Sequence, residues 1–179
     1  MTSETIYIAL ATAVITALVT IKVQKDNYHR EFYKKILDKR LDALELARAL
    51  MGELAGTVVL PDGRECLIVM ATDMDDYRAF KKRFFEVSQK TFWLGNQTSN
   101  LLTDLSRYLF ENIEQNIHPL SNDKYFDLLE LGVLHTSPIQ LLKLGIEDEF
   151  TNDLTNMPKV KEFLQNKAID SVPLELNIW

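Results

Sequence analysis

"TIYIALATAVITALVTIKVQK", residues 5–25, decides how the rest of the chain is read. From Thr5 to Ile21, seventeen consecutive residues carry no charge. As a helix rising about 1.5 Å per residue the run is roughly 26 Å long, against a hydrocarbon core of about 30 Å. Lys22 can lay its stem along the helix and carry its ammonium to water, extending the span to Val23. A short transmembrane helix over residues 5–23 is expected. A cleavable signal peptide needs a positive leading segment, and "MTSE" offers only Glu4. A buried core helix would need enclosure on all sides, and no other segment is apolar enough to provide it.

Charge sets the expected orientation. Lys22, Lys25, Arg30, Lys34, Lys35, Lys39 and Arg40 lie beyond the run, opposed only by Asp26, Glu31 and Asp38. Basic residues beside a span stay on the cytoplasmic side. Residues 1–4 then form a short extracytoplasmic tail, the bulk of the chain is cytoplasmic, and the address is the inner (plasma) membrane. Within the span, Ala9, Ala13 and Ala17 recur every four residues, as do Thr12, Thr16 and Thr20. Together they form one small, weakly polar face, opposite a bulky face of Ile6, Leu10, Val14 and Leu18. Small residues let membrane helices approach closely and hydroxyls can bond across the gap, so a homo-oligomer is expected.

Composition bounds the chain beyond the anchor. With 46% hydrophobic and 26% charged residues over all 179 positions, the sequence has the make-up of a folded chain rather than a disordered one. Cys66 is the only cysteine, which excludes an intrachain disulfide and suits a reducing compartment. Residues 22–117 hold fifteen Lys/Arg and fifteen Asp/Glu, whereas residues 118–179 hold five against ten. An acidic tail of that kind argues against DNA binding.

The periodicity predicts a mainly α-helical fold with one β-hairpin. Phe32, Ile36, Leu37, Leu41, Leu44, Ala47, Leu50, Met51 and Leu54 recur at helical spacing and continue the anchor as one long helix. "TVVLPDGRECLIVMA" then changes character. Its β-branched runs flank Pro61-Asp62-Gly63, predicting strands over about 57–60 and 65–70 joined by a type I turn with Gly63 in the left-handed position. Asp73 is a natural N-cap for a helix with Tyr77, Phe80, Phe84, Val87 and Thr91 on one face, ended by Gly95. Leu101, Leu105, Tyr108, Leu109 and Ile113 mark a third helix, antiparallel to the second. Beyond residue 117 three short helices are expected. Ser121-Asn122 would cap one ending near Gly132, Ser137-Pro138 would open one stopped by Gly145, and Pro158 would open the last. The expected organisation is residues 1–4, 5–23, 24–117 and an acidic region 118–179.

Little in the chain reads as catalysis. Asp73, Asp75 and Asp76 carry carboxylates that could attract a divalent metal. At adjacent positions of a helix start they serve the cap and the positive first turn instead. His29, His118 and His135 lack paired zinc spacing, and no nucleophile elbow or phosphate-cradling glycine loop occurs. No catalytic residue, metal or cofactor is expected. The basic cluster Arg78, Lys81, Lys82 and Arg83 is the candidate anion or messenger site, with Phe84 and Phe85 beside it. Its plain alternative is a solvated helix face.

A single span runs into "KRLDALELARAL", then "DGRECLIV", then "FKKRFFEVSQKTFWLGNQTSNLLTDL". This arrangement resembles uncharacterised bacterial single-span membrane proteins with a helical cytosolic domain. Its layout is also similar to small membrane effectors of bacterial antiviral defence. The first reading is a self-associating, non-enzymatic anchor in membrane lipid that presents a helical cytosolic interaction or sensor domain to a protein partner or nucleotide messenger. The second, which that layout implies, is a membrane-disrupting effector gated by a nucleotide messenger. A membrane-tethered enzyme is the third reading.

Overall fold

The computed structural model describes the backbone of residues 3–117 and 124–171 and the side chains of residues 12–117 and 125–167. The fold is mainly helical with one small antiparallel sheet. The order is α1 (Ser3–Glu53), β1 (Thr57–Val59), β2 (Glu65–Leu67), α2 (Ile68–Ala71), α3 (Met74–Ser88), α4 (Asn96–Asn112), α5 (Lys124–Asn156) and α6 (Val160–Ser171). Single 3-10 turns occupy Thr91–Trp93 and Glu114–Asn116. Two compact units result, Met1–Asp38 and Lys39–Trp179, so α1 belongs to both.

In the first unit the helix runs without interruption through the uncharged stretch. That stretch lies only partly among residues with described side chains; Ala9 is outside them. Among the described residues no helix is long and apolar enough to cross a membrane. From Thr12 to Lys35 the side chains are exposed, with Ile15 and Leu18 each at 62%.

The second unit is built around a core from all of its helices. On α1, Ala43, Leu44, Ala47, Leu50 and Met51 are buried along one face, and Leu54, just past its end, is buried with them. The hairpin turns as the sequence predicts: Gly63 has φ +86° and donates to Leu60 O at 2.9 Å, while Leu60 donates to Arg64 O at 2.8 Å. The strands are shorter than expected. Val58 pairs with Cys66 and Thr57 with Leu67, after which the chain turns into α2 instead of continuing to residue 70. Asp73 caps α3 as expected, its carboxylate accepting from the N–H groups of Asp75 and Asp76. Helix α3 ends at Ser88, earlier than the predicted stop at Gly95.

The larger departure is α5. Two of the three predicted short helices form a single helix of 33 residues that passes through Gly132, Pro138 and Gly145. The cap at Ser121-Asn122 lies outside the described residues. A proline inside a helix costs about 3 kcal/mol in propensity, so tertiary contacts must outweigh it. They run along one face: Leu128, Gly132, Thr136, Ile139, Lys143, Ile146, Phe150 and Asp153 recur every three or four residues, and all are buried. Gly132 lies so close to the hairpin that a Cβ there would meet Cys66 Sγ at 2.6 Å and Met70 Cβ at 2.9 Å. Polar bonds repeat the attachment. Tyr125 Oη donates to Ala71 O, Arg64 grips Glu130 through both terminal nitrogens, and Gln140 Nε2 donates to Leu54 O at 2.6 Å.

Thr136 carries one of these bonds and makes a direct test of the attachment. Its hydroxyl, 5% exposed with the rest of the residue, accepts from Leu67 N–H at 3.1 Å and donates to Gly132 O at 2.7 Å. Thr136→Val keeps the shape but leaves that N–H buried without a partner. A loss of about 1–3 kcal/mol is expected, read as a lower urea midpoint with unchanged slope. Wild-type stability in the variant would show that Leu67 finds another acceptor.

Candidate functional site

The predicted basic cluster is largely engaged by the protein's own carboxylates. Arg78 pairs with Asp75 at 2.7 Å, one turn back on the same helix. Lys81 meets Glu114 at 2.6 Å. Arg83 lays its Nε and Nη2 on the two oxygens of Glu53 at 2.6 and 2.7 Å. Lys82 is exposed beside them. Arg78, Lys81 and Arg83 therefore point to three separate partners rather than converging, and this is ordinary behaviour for exposed pairs. Lys81 and Glu114 do border a groove of about 240 Å³ whose wall includes Phe80, Phe84 and Leu109.

The predicted packing residues lie in the first unit. Thr12, Ala13, Thr16, Ala17 and Thr20 line one shallow groove of the helix. The hydroxyls of Thr16 and Thr20 donate to the carbonyls of Thr12 and Thr16, each at 2.8 Å. Their protons are spent within the helix, so a neighbouring helix would meet acceptors and small side chains there.

Of the histidines, His29 is in the first unit and His118 lies outside the described residues. His135 Nδ1 is 2.7 Å from Tyr108 Oη. Burial holds the imidazole pKa below its usual value. Among the described residues no group of acids, histidines or cysteines is arranged to hold a metal.

A different set of residues forms a polar cavity of about 400 Å³ in the second unit, where the start of α4, the end of α5 and the first turns of α6 meet. Its floor contains a buried guanidinium. Arg40 is only 3% exposed, and its Nη1 donates to the last carbonyls of the α5 end, Asn156 O at 3.3 Å and Met157 O at 2.9 Å. A cation placed there complements the negative end of a helix. The guanidinium also lies over the Phe163 ring, 4.2 Å from its centroid. Burial lowers the Arg40 pKa, an effect that the Asp153 carboxylate opposes.

Asp153 performs the mirror-image task. It is 8% exposed, and its Oδ2 accepts from Gly95 N–H at 3.1 Å, at the entry to α4. Gly95 has no side chain with which to cap that helix, so the carboxylate from α5 supplies negative charge at its positive end. Around this floor stand amides from Asn96, Gln97, Asn152, Asn156 and Asn166, with Glu149, Lys159 and Glu162 among them.

Arg40 and Asp153 are not visible as site residues in sequence because each reads there as one charge among many. The signal is positional: Arg40 sits three residues before Ala43 and Asp153 three after Phe150, both on buried stripes. Compared with known families, curated proteins and solved structures, the chain matches none of them.

Proposed function

We propose that this chain is a self-associating, single-pass membrane protein that presents residues 39–171 as a non-enzymatic interaction or sensor domain. The observation that carries the anchor is the helical, uncharged run Thr5–Ile21, whose described apolar side chains (Val14, Ile15, Leu18, Val19 and Ile21) are all more than half exposed. Such a surface needs an apolar environment. The basic flank favours a cytoplasmic domain and a short outer N-terminus. A binding role for the domain draws support from the cavity, whose two buried charges, Arg40 and Asp153, each bond backbone at a helix end. The effector gated by a nucleotide messenger is the weaker reading, because three of its four proposed phosphate contacts already have carboxylate partners.

The protein is expected in the membrane fraction after a high-pH wash, with a reporter fused after Trp179 active only inside the cell. Ala13→Ile should separate the anchors in membrane crosslinking while the domain stays folded, whereas Val14→Ala should not. Recovery in the wash would remove the anchor. Equal crosslinking in both variants would remove the Ala/Thr face as the contact.

A further inference from the structure

We infer that the cavity floored by Arg40 is a receptor site for a small zwitterion, an α-amino acid with free carboxylate and ammonium groups. This gives the proposed sensor domain a ligand class, and it rests on that reading only in taking the cavity as the receptor site. The carboxylate end is argued from the guanidinium. Nε and Nη2 form one edge of an arginine, the edge with which Arg83 grips Glu53 in this same protein. On Arg40 the other nitrogen, Nη1, is committed to the two helix-end carbonyls. Nε is buried and has no hydrogen-bond partner. Buried guanidinium nitrogens are normally satisfied, and a carboxylate is the acceptor that matches this edge.

The ammonium end is argued from the balance of charge. Arg40 and Lys159 supply two cations to the lining, while Glu149, Asp153 and Glu162 supply three carboxylates, leaving a net −1. A multiply charged phosphate would meet that surplus unfavourably. A zwitterion places its carboxylate at Arg40 and its ammonium among the rim carboxylates, so both charges are answered. The surrounding amides offer donors and acceptors to a polar side chain. A volume of about 400 Å³ suits a ligand of this size.

The test uses the full-length protein, in micelles where it requires them. Proteinogenic L-α-amino acids are screened at millimolar concentration by thermal unfolding, and binders are titrated by calorimetry. At least one should raise the unfolding midpoint. Its N-acetyl derivative and its carboxamide should each bind about tenfold or more weakly, as loss of one charge-assisted hydrogen bond implies. Glu162 is exposed, so Glu162→Gln should fold normally and lose affinity for the free amino acid. In that variant N-acetylation should cost less than in the wild type. Arg40→Lys keeps the cation but not the planar edge and should also bind more weakly. No binding by any amino acid would overturn the inference, as would equal binding of the N-acetyl derivative or of inorganic phosphate. Failure of the anchor reading appears elsewhere, as protein released from membranes with its amino-acid binding intact.

Discussion

Gly132→Ala is expected to destabilise the second unit by about 1–3 kcal/mol, the usual result of forcing a methyl into a filled core. An opposing effect exists, since alanine is favoured over glycine inside a helix by about 1 kcal/mol. It loses here because the new Cβ would fall 2.9 Å from Met70 Cβ, an atom fixed to the backbone, and 2.6 Å from Cys66 Sγ. Helix α5 would have to lift from the hairpin. Gly145 provides the control in the same helix, because a Cβ there meets nothing within 4 Å. Gly145→Ala should therefore stabilise by about 0.4–1 kcal/mol. Urea denaturation of the two variants should move the midpoint in opposite directions. If both shift upward, α5 is free to move away from α2 and the close packing at Gly132 is not required.

The second large effect is expected at Asp153. Asp153→Ala takes the acceptor from the half-buried Gly95 N–H and removes the carboxylate that opposes the lowering of the Arg40 pKa. Loss of that hydrogen bond to a charged acceptor should cost about 1.5–3 kcal/mol. Asp153→Asn retains an oxygen acceptor and should cost less. The pairing with Gly95 can be isolated because a Cβ on that residue would overlap the Asp153 carboxylate. Gly95→Ala should be harmful in the wild type and nearly neutral beside Asp153→Ala. A double-mutant cycle with no coupling would show that the carboxylate can swing away at little cost.

Local chemistry makes much of the fold legible. Pro61-Asp62-Gly63 fixes the turn, Asp73 fixes a helix start, and the aliphatic positions of α1 and the largely aromatic ones of α3 fix their buried faces. Helix α5 is not legible as one element. Its punctuation marks, Gly132, Pro138 and Gly145, read as boundaries. Its inward stripe also includes Thr136, Lys143 and Asp153, which break the apolar pattern. Each has a partner that the pattern does not display: Thr136 bonds Leu67, Lys143 bonds Glu147 and Asp153 bonds Gly95. The site is obscured for the same reason. An exposed basic cluster is conspicuous in sequence, whereas Arg40 is distinguished only by its burial.

The contact between Cys66 and Gly132 makes the protein carry its own clock. Cys66 is the only cysteine, it is fully buried, and burial pushes its thiol pKa up to about 11. Such a thiol is inert to alkylating reagents while the hairpin stays covered. Each modification event in the native protein therefore records one excursion in which α5 parts from β2. With a slow reagent, the labelling rate reports how often the open form is populated; with a fast one, it reports how quickly the cover parts. No engineered probe is needed, and an occupied Arg40 cavity at the far end of α5 can be timed against an empty one by the same single sulfur.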